Sequence, residues 1–222
     1  MKLNSSFARL LAPAYGPCPA FSGPCAEMRW NPSQGHVPRG FLGAAGTLEE
    51  IELVLVFAEP GDPHEGETHE GLASAYDYAT FAFETGKDQF HRNVRAILDA
   101  CWPQLSFEDQ MKKVWMIDSV LCSARKEGGP VSAAAARECG KRYLLAQLRL
   151  LPHALVVALG GKAQKRLRSL GFTTFLPAFA AAPPGCNFSG AQESWNRIPV
   201  ELRRRSEAQP ALAADAPQAA RR

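Results

Sequence analysis

Two carboxylates and four cysteines are the side chains of this sequence with the most chemistry to offer. Glu59 lies in Ala58-Glu59-Pro60-Gly61, just after an apolar run, and Asp118 closes a second apolar run that begins at Val114. If both runs are strands of one parallel sheet, both carboxylates face one cleft, where perturbed titration suits acid–base work. The same residues also fit plainer roles, Glu59 in a solvated turn and Asp118 capping a loop. Cys18 and Cys25 are separated by six residues, and Cys122 and Cys139 by sixteen. Thiolates gathered from two such distant pairs suit an iron–sulfur cluster or a structural zinc ion. Core or free thiols fit that spacing as well. Cys101, before Trp102, reads as core, and Cys186 as a free thiol in the last loop of the cleft. His64 and His69 fall in an acidic stretch, DPHEGETHEG, which reads as a solvated loop.

The elements that must position these residues follow from hydrophobic patterning. IELVLVF (51–57), KVWMIDSV (113–120), HALVVALG (153–160) and TTFLPAF (173–179) have the length and apolar content of strands. Between them, 71–84 and 90–102 have helical spacing, and Ser132 can cap a long helix over roughly 133–151. GKAQKRLRSLG (161–171) reads as a short basic helix closed by glycine, and 191–205 as a helix kinked or broken at Pro199. Strands alternating with helices predict an α/β fold, a parallel sheet with helices on both faces. Ligands bind such sheets outside the carboxyl ends of the strands, which here carry AEPGDP, Asp118, a glycine pair and AAAPPGCN.

Residues 1–48 are rich in Gly and Pro and read as a loop-rich lead-in, 49–205 as the α/β domain, and 206–222 as a tail disordered by composition. The 222 residues suffice for one ordinary core. No stretch is apolar enough for a signal peptide or a membrane span, so a cytoplasmic monomer is the expectation. Net charge is +3, unevenly spread. Residues 1–110 hold 7 Lys and Arg against 15 Asp and Glu, a balance of −8; residues 111–222 hold 18 against 7, a balance of +11. A basic C-terminal half suits a polyanion such as DNA, although a solvated basic surface has the same charge.

The order of these motifs resembles the uracil-DNA glycosylase superfamily, and within it the iron–sulfur branch. The resemblance rests on the strand ending in Pro60-Gly61, the strand closing at Asp118 before Cys122, and CGKRYLLAQLRLLPHALVVALGGKAQKRL from Cys139. It covers roughly residues 50–200 and is strongest over 114–167. It implies a three-layer α/β/α sandwich around a central four-stranded parallel sheet, and a [4Fe–4S] cluster on Cys18, Cys25, Cys122 and Cys139. The Cys18–Cys25 gap is wider than that branch's usual CxxC.

By the same resemblance, Phe57-Ala58-Glu59-Pro60-Gly61 occupies the first motif, with Phe57 where a glycine is usual. Glu59 stands where the residue positioning the attacking water is found. Phe90 matches the aromatic on which the flipped base stacks, and Asp118 stands where an asparagine reads the base edge. Arg125 and Lys126 would meet phosphates, and Pro183, Pro184, Gly185 and Asn187, around Cys186, would enter the DNA. This last motif lacks its usual histidine, which helps the departing base take up negative charge. An ionised Asp118 would only accept hydrogen bonds, favouring the exocyclic amine of a cytosine over uracil O4. The expected activity is therefore base excision from DNA. Its substrate would be a modified cytosine-type base of foreign DNA, with uracil or deaminated-base repair, or non-catalytic DNA binding, as alternatives. The long segment between Gly61 and Phe90 would widen the pocket.

Overall fold

A computed structural model describes residues 1–214. Its centre is a five-stranded sheet in the order β1-β3-β2-β4-β5. The runs foreseen as strands form β2 (Leu53–Phe57), β3 (Val114–Asp118), β4 (Leu155–Leu159) and β5 (Leu176–Ala178). These four are parallel, β2 lying between β3 and β4. The four-stranded expectation is incomplete. β1 (Leu42–Gly43) pairs antiparallel with β3 and covers its free edge. Every residue of β2, β3 and β4 is buried, as continuous apolar strands require when both sheet faces are covered.

Side chains alternate between the faces along a strand, so Trp115 and Asp118 point to opposite sides. On one side, Trp115 packs on Phe7 of α1 (Ser5–Leu11), ring centroids 4.4 Å apart. Its indole N–H donates to Gln147 Oε1 at 3.0 Å, from α6 (Leu145–Arg149). On the other, Phe57, in register with Asp118, meets Phe90 of α3 (Gln89–Cys101) edge to face at 5.0 Å. Helices therefore cover both faces of a mixed α/β unit.

Local signals explain most of the helices. α2 (Leu72–Thr85) and α3 fall where the spacing predicts them. Asp88 caps α3 by accepting from the His91 amide, and Val94, Ile97, Leu98 and Cys101 form its buried stripe. α4 (Phe107–Lys113), which the sequence reading did not mark, is capped by Ser106. Ser132 caps α5 (Ala133–Cys139) as expected, but the long helix passes through a π turn at Gly140–Leu144 before α6. α7 (Gly161–Ser169) follows β4 directly.

The loop-rich stretch of residues 1–48 also holds α1 and β1, which the sequence reading did not mark. Pro199 does not break the last helix, since α8 runs over Ala191–Ala214. That helix takes in the first part of the expected tail, while residues 215–222 lie outside the described residues.

Candidate active site

A cleft of about 760 Å³ opens at the carboxyl ends of β2 and β3. Its lining includes Phe57, Ala58, Glu59, Phe90, Asp118 and Pro183, side chains gathered from four separate segments. Strand order explains the position. The chain leaves β2 for β3 on one side and β4 for β5 on the other, so connections diverge here and leave a crevice.

Glu59 is buried in its side chain and held by two cations. Lys162 Nζ donates to Oε1, and Arg166 Nη2 lies 2.5 Å from Oε2. Both come from α7, one turn apart, so a single helix presents both charges. Arg166 also donates to the Ala58 carbonyl at 2.7 Å and to Ser119 Oγ at 3.1 Å. Lys162 reaches the Gly128 and Gly129 carbonyls at 3.1 and 3.0 Å, tying the loop after β3 to Glu59.

Asp118 is 5 % exposed and lines the cleft, and among the described residues nothing hydrogen-bonds to its carboxyl. Gly40 closes over it with φ +76°, and a Cβ there would overlap Asp118 Oδ2. Burial, reinforced by the charge of Glu59, pushes the Asp118 carboxyl well above the usual carboxylate range, against the opposing pull of Arg166 and Arg39. Both guanidinia already have carboxylates of their own, Arg166 in Glu59 and Arg39 in Glu67 at 3.0 Å. Burial thus opposes the ionised, acceptor-only Asp118 of the sequence reading; in its neutral form the group would donate as well as accept.

No protein-family model matches the chain, and no curated protein does.

The acidic stretch after Gly61 is largely the solvated loop its composition suggests, but Glu67 and His69 turn inward. His69 is buried, and its Nε2 donates to Glu67 Oε1 at 2.8 Å. Burial opposes ionisation of Glu67, but the His69 hydrogen bond and the Arg39 charge outweigh it and bring the carboxyl down to about 2. His64 Nε2 lies 3.2 Å from Asp88 Oδ2, and its Nδ1 meets the Tyr78 hydroxyl at 2.9 Å. These residues form the polar wall opposite Phe57 and Phe90.

A second, small cavity of about 20 Å³, room for roughly one water, is lined by Cys18, Cys25, Cys122 and Cys139. The two distant pairs therefore meet. Ala14, Ala20, Phe21, Met28, Val120 and Leu121 make most of the remaining wall apolar. The Leu121 amide points at Cys139 Sγ at 3.4 Å, and the Tyr143 hydroxyl at Cys18 Sγ at 3.5 Å. Burial pushes Cys139 up to about 12, and burial with the charges of the other three raises Cys122. Cys25, Cys122 and Cys139, whose ionisation burial and the neighbouring thiols oppose, lie with Cys18 and with donors aimed at sulfur, an arrangement that fits a cationic centre. Among the described residues, no group of three or more His, Cys, Asp or Glu side chains is placed to hold a single metal ion. Cys101 is buried away from this set, in the core as expected, and Cys186 is half-buried outside both cavities.

Arg125 and Lys126 are exposed and do not line the cleft; Glu127 beside them does. Of the last motif, Pro183 lies at the cleft rim, and Pro184 and Asn187 are exposed beyond it. Asn187 Oδ1 accepts from Gln89 at 3.4 Å, which brings this loop to the start of α3 next to Phe90. Sequence reasoning missed Arg39, Gly40, Glu67, Lys162 and Arg166. Only the last two left a signal, a Lys and an Arg one turn apart just after the glycine pair that ends β4.

Proposed function

We propose that the protein is a DNA N-glycosylase that flips a base from the helix and hydrolyses its bond to the sugar, leaving an abasic site. One observation carries this reading. The positions that the resemblance assigns to base stacking, base edge and water line one cleft, although they lie on separate segments of the chain. Phe90, held edge to face against Phe57, would stack on the base, as extrusion from the helix demands. Asp118 would hold the base edge. Glu59, fixed by Lys162 and Arg166, keeps lone pairs with which to orient water, and its negative charge stabilises the sugar cation.

The substrate proposed is a modified cytosine-type base, and the activity one directed against foreign DNA. A cleft of about 760 Å³ is in the size range that buries drug-sized ligands, more room than a bare pyrimidine fills. Its polar wall of His64, Tyr78 and Glu67 offers partners to a substituent on the base. Uracil excision is supported by the same burial of Asp118, since a protonated carboxyl there would also pair with uracil O4 and N3–H.

Cys18, Cys25, Cys122 and Cys139 would hold a [4Fe–4S] cluster, with structural zinc as the other candidate. A cluster binds each cysteine through a different iron, so its ligands need not converge on one point. Its contribution would be to clip the lead-in to the loop after β3. Arg39 and Arg29 already bind that loop, donating their amides to the Leu121 and Ser123 carbonyls. Arg125 and Lys126 would then be presented to DNA phosphates.

The test is release of free base from duplex and single-stranded oligonucleotides carrying uracil, hypoxanthine, cytosine or 5-modified cytosines. Release that is abolished by Glu59→Ala and Asp118→Ala supports the reading. Equal release by both variants would refute the site, and DNA binding without release of any base would refute catalysis.

A further inference from the structure

We infer that Asp118 donates a proton to ring nitrogen N3 of a cytosine-type base as the bond between that base and its sugar breaks. This rests on the glycosylase reading and adds to it the source of the leaving-group proton. Four observations carry it. Asp118 lines the cleft, in register with Phe57, whose ring meets Phe90. Its carboxyl is buried and has no hydrogen-bond partner among the described residues, so its bonding capacity is left for whatever enters the cleft. The charged groups that bear on it are Glu59 after β2, Arg166 on α7 and Arg39 from the lead-in. Each cation is committed to another carboxylate, Arg166 to Glu59 and Arg39 to Glu67, so Asp118 has no counter-ion of its own. Finally, Pro183-Pro184-Gly185-Cys186-Asn187 contains no histidine, so that loop supplies no imidazole to the departing base.

A neutral carboxyl group matches the cytosine edge in both directions. Its carbonyl oxygen accepts from the exocyclic amine, and its hydroxyl donates to N3. As the C1′–N1 bond breaks, its electron pair stays with the base and N3 takes the Asp118 proton, so the base departs uncharged. Water adds to C1′, and the proton it loses restores the acid form of Asp118. Uracil carries a hydrogen on N3 already. Asp118 can therefore only hydrogen-bond to it, and the step is unavailable.

The pairing of Glu59 with Asp118 fits this division of labour. Two carboxylates lining one cleft can serve as ionised stabiliser and neutral acid. Lys162 and Arg166 at its carboxyl suit Glu59 to the stabilising role.

Two measurements on the full-length protein test the proposal. The infrared spectrum of wild type minus Asp118→Asn at neutral pH should contain a protonated carboxyl band. A carboxylate band in its place would overturn the proposal whatever the enzyme's activity. Single-turnover release from oligonucleotides carrying one 5-hydroxymethylcytosine or one uracil should then separate the substrates. Asp118→Asn should slow release of the cytosine base by about 100-fold or more, the usual scale of acid catalysis, and release of uracil by less than about 10-fold. Equal loss on both bases, or none on either, overturns the proton transfer and leaves the glycosylase reading intact. Release of neither base by wild type overturns both.

Discussion

Glu59 and Arg166 form a buried ion pair, Oε2 lying 2.5 Å from Nη2, with both side chains almost fully withdrawn from solvent. Removing Glu59 would strand the Arg166 charge, at a typical cost of about 3–5 kcal/mol. Arg166→Leu leaves Glu59 its Lys162 partner, so it should lower unfolding free energy by less than this, part of the loss coming from the bonds to Ala58 and Ser119. The double variant Glu59→Leu/Arg166→Leu should lose less than the sum of the single changes, by about 1–3 kcal/mol. Urea unfolding of the three variants measures this coupling. Additive losses would show that the two residues act independently.

The four thiols of the small cavity should behave as one unit. Cys18→Ser or Cys122→Ser should remove bound iron and the visible absorbance of iron–thiolate charge transfer. Cys101→Ser should leave both in place, since Cys101 belongs to the core. Metal analysis of anaerobically purified protein makes the comparison. Stoichiometric zinc without iron would give the site to a single ion, and retention of iron by Cys122→Ser would remove Cys122 from the set.

How much of this was legible in the sequence depended on how local the determining interaction is. β2, β3 and β4 were readable because burial on both faces forces continuous apolar runs. β1 was not, because two residues in a Gly- and Pro-rich stretch carry no periodicity, and only the free edge of β3 makes them a strand. Ser132 announced its helix, whereas the π turn at Gly140–Leu144 left no mark. The positions of Glu59 and Asp118 followed from strand ends, but their partners did not. Glu59 owes its partners to α7, and Asp118 owes its isolation to Arg39 already being held by Glu67. His69 was read as solvated because its own neighbours are acidic, while its burial depends on a lead-in packed against it from afar.

Gly40 should tolerate no side chain. It combines a positive φ of +76° with a position where a Cβ would overlap Asp118 Oδ2. Gly40→Ala should cost about 1–3 kcal/mol of stability from backbone strain alone and should displace the carboxyl from the cleft. Loss of base release at a temperature where the variant remains folded is the expected outcome. Full activity would mean that Asp118 need not hold its position.

Stability should vary with pH in opposite senses at two buried carboxyls of the cleft, Glu67 and Asp118. Glu67 is held at about 2, below its unfolded value near 4, so it stabilises the fold above that unfolded value. This contribution, on the order of 3 kcal/mol, disappears as pH falls through about 2. Asp118 is raised, so its contribution is complete below the unfolded value near 4 and is lost as pH rises through its folded value. Glu67→Gln should flatten the acid limb of a plot of urea midpoint against pH. It should also weaken the protein at neutral pH, because Arg39 is left buried without its carboxylate. Asp118→Asn should instead flatten the decline on the rising side. A variant curve parallel to wild type in either window would show that the residue does not titrate as its surroundings require.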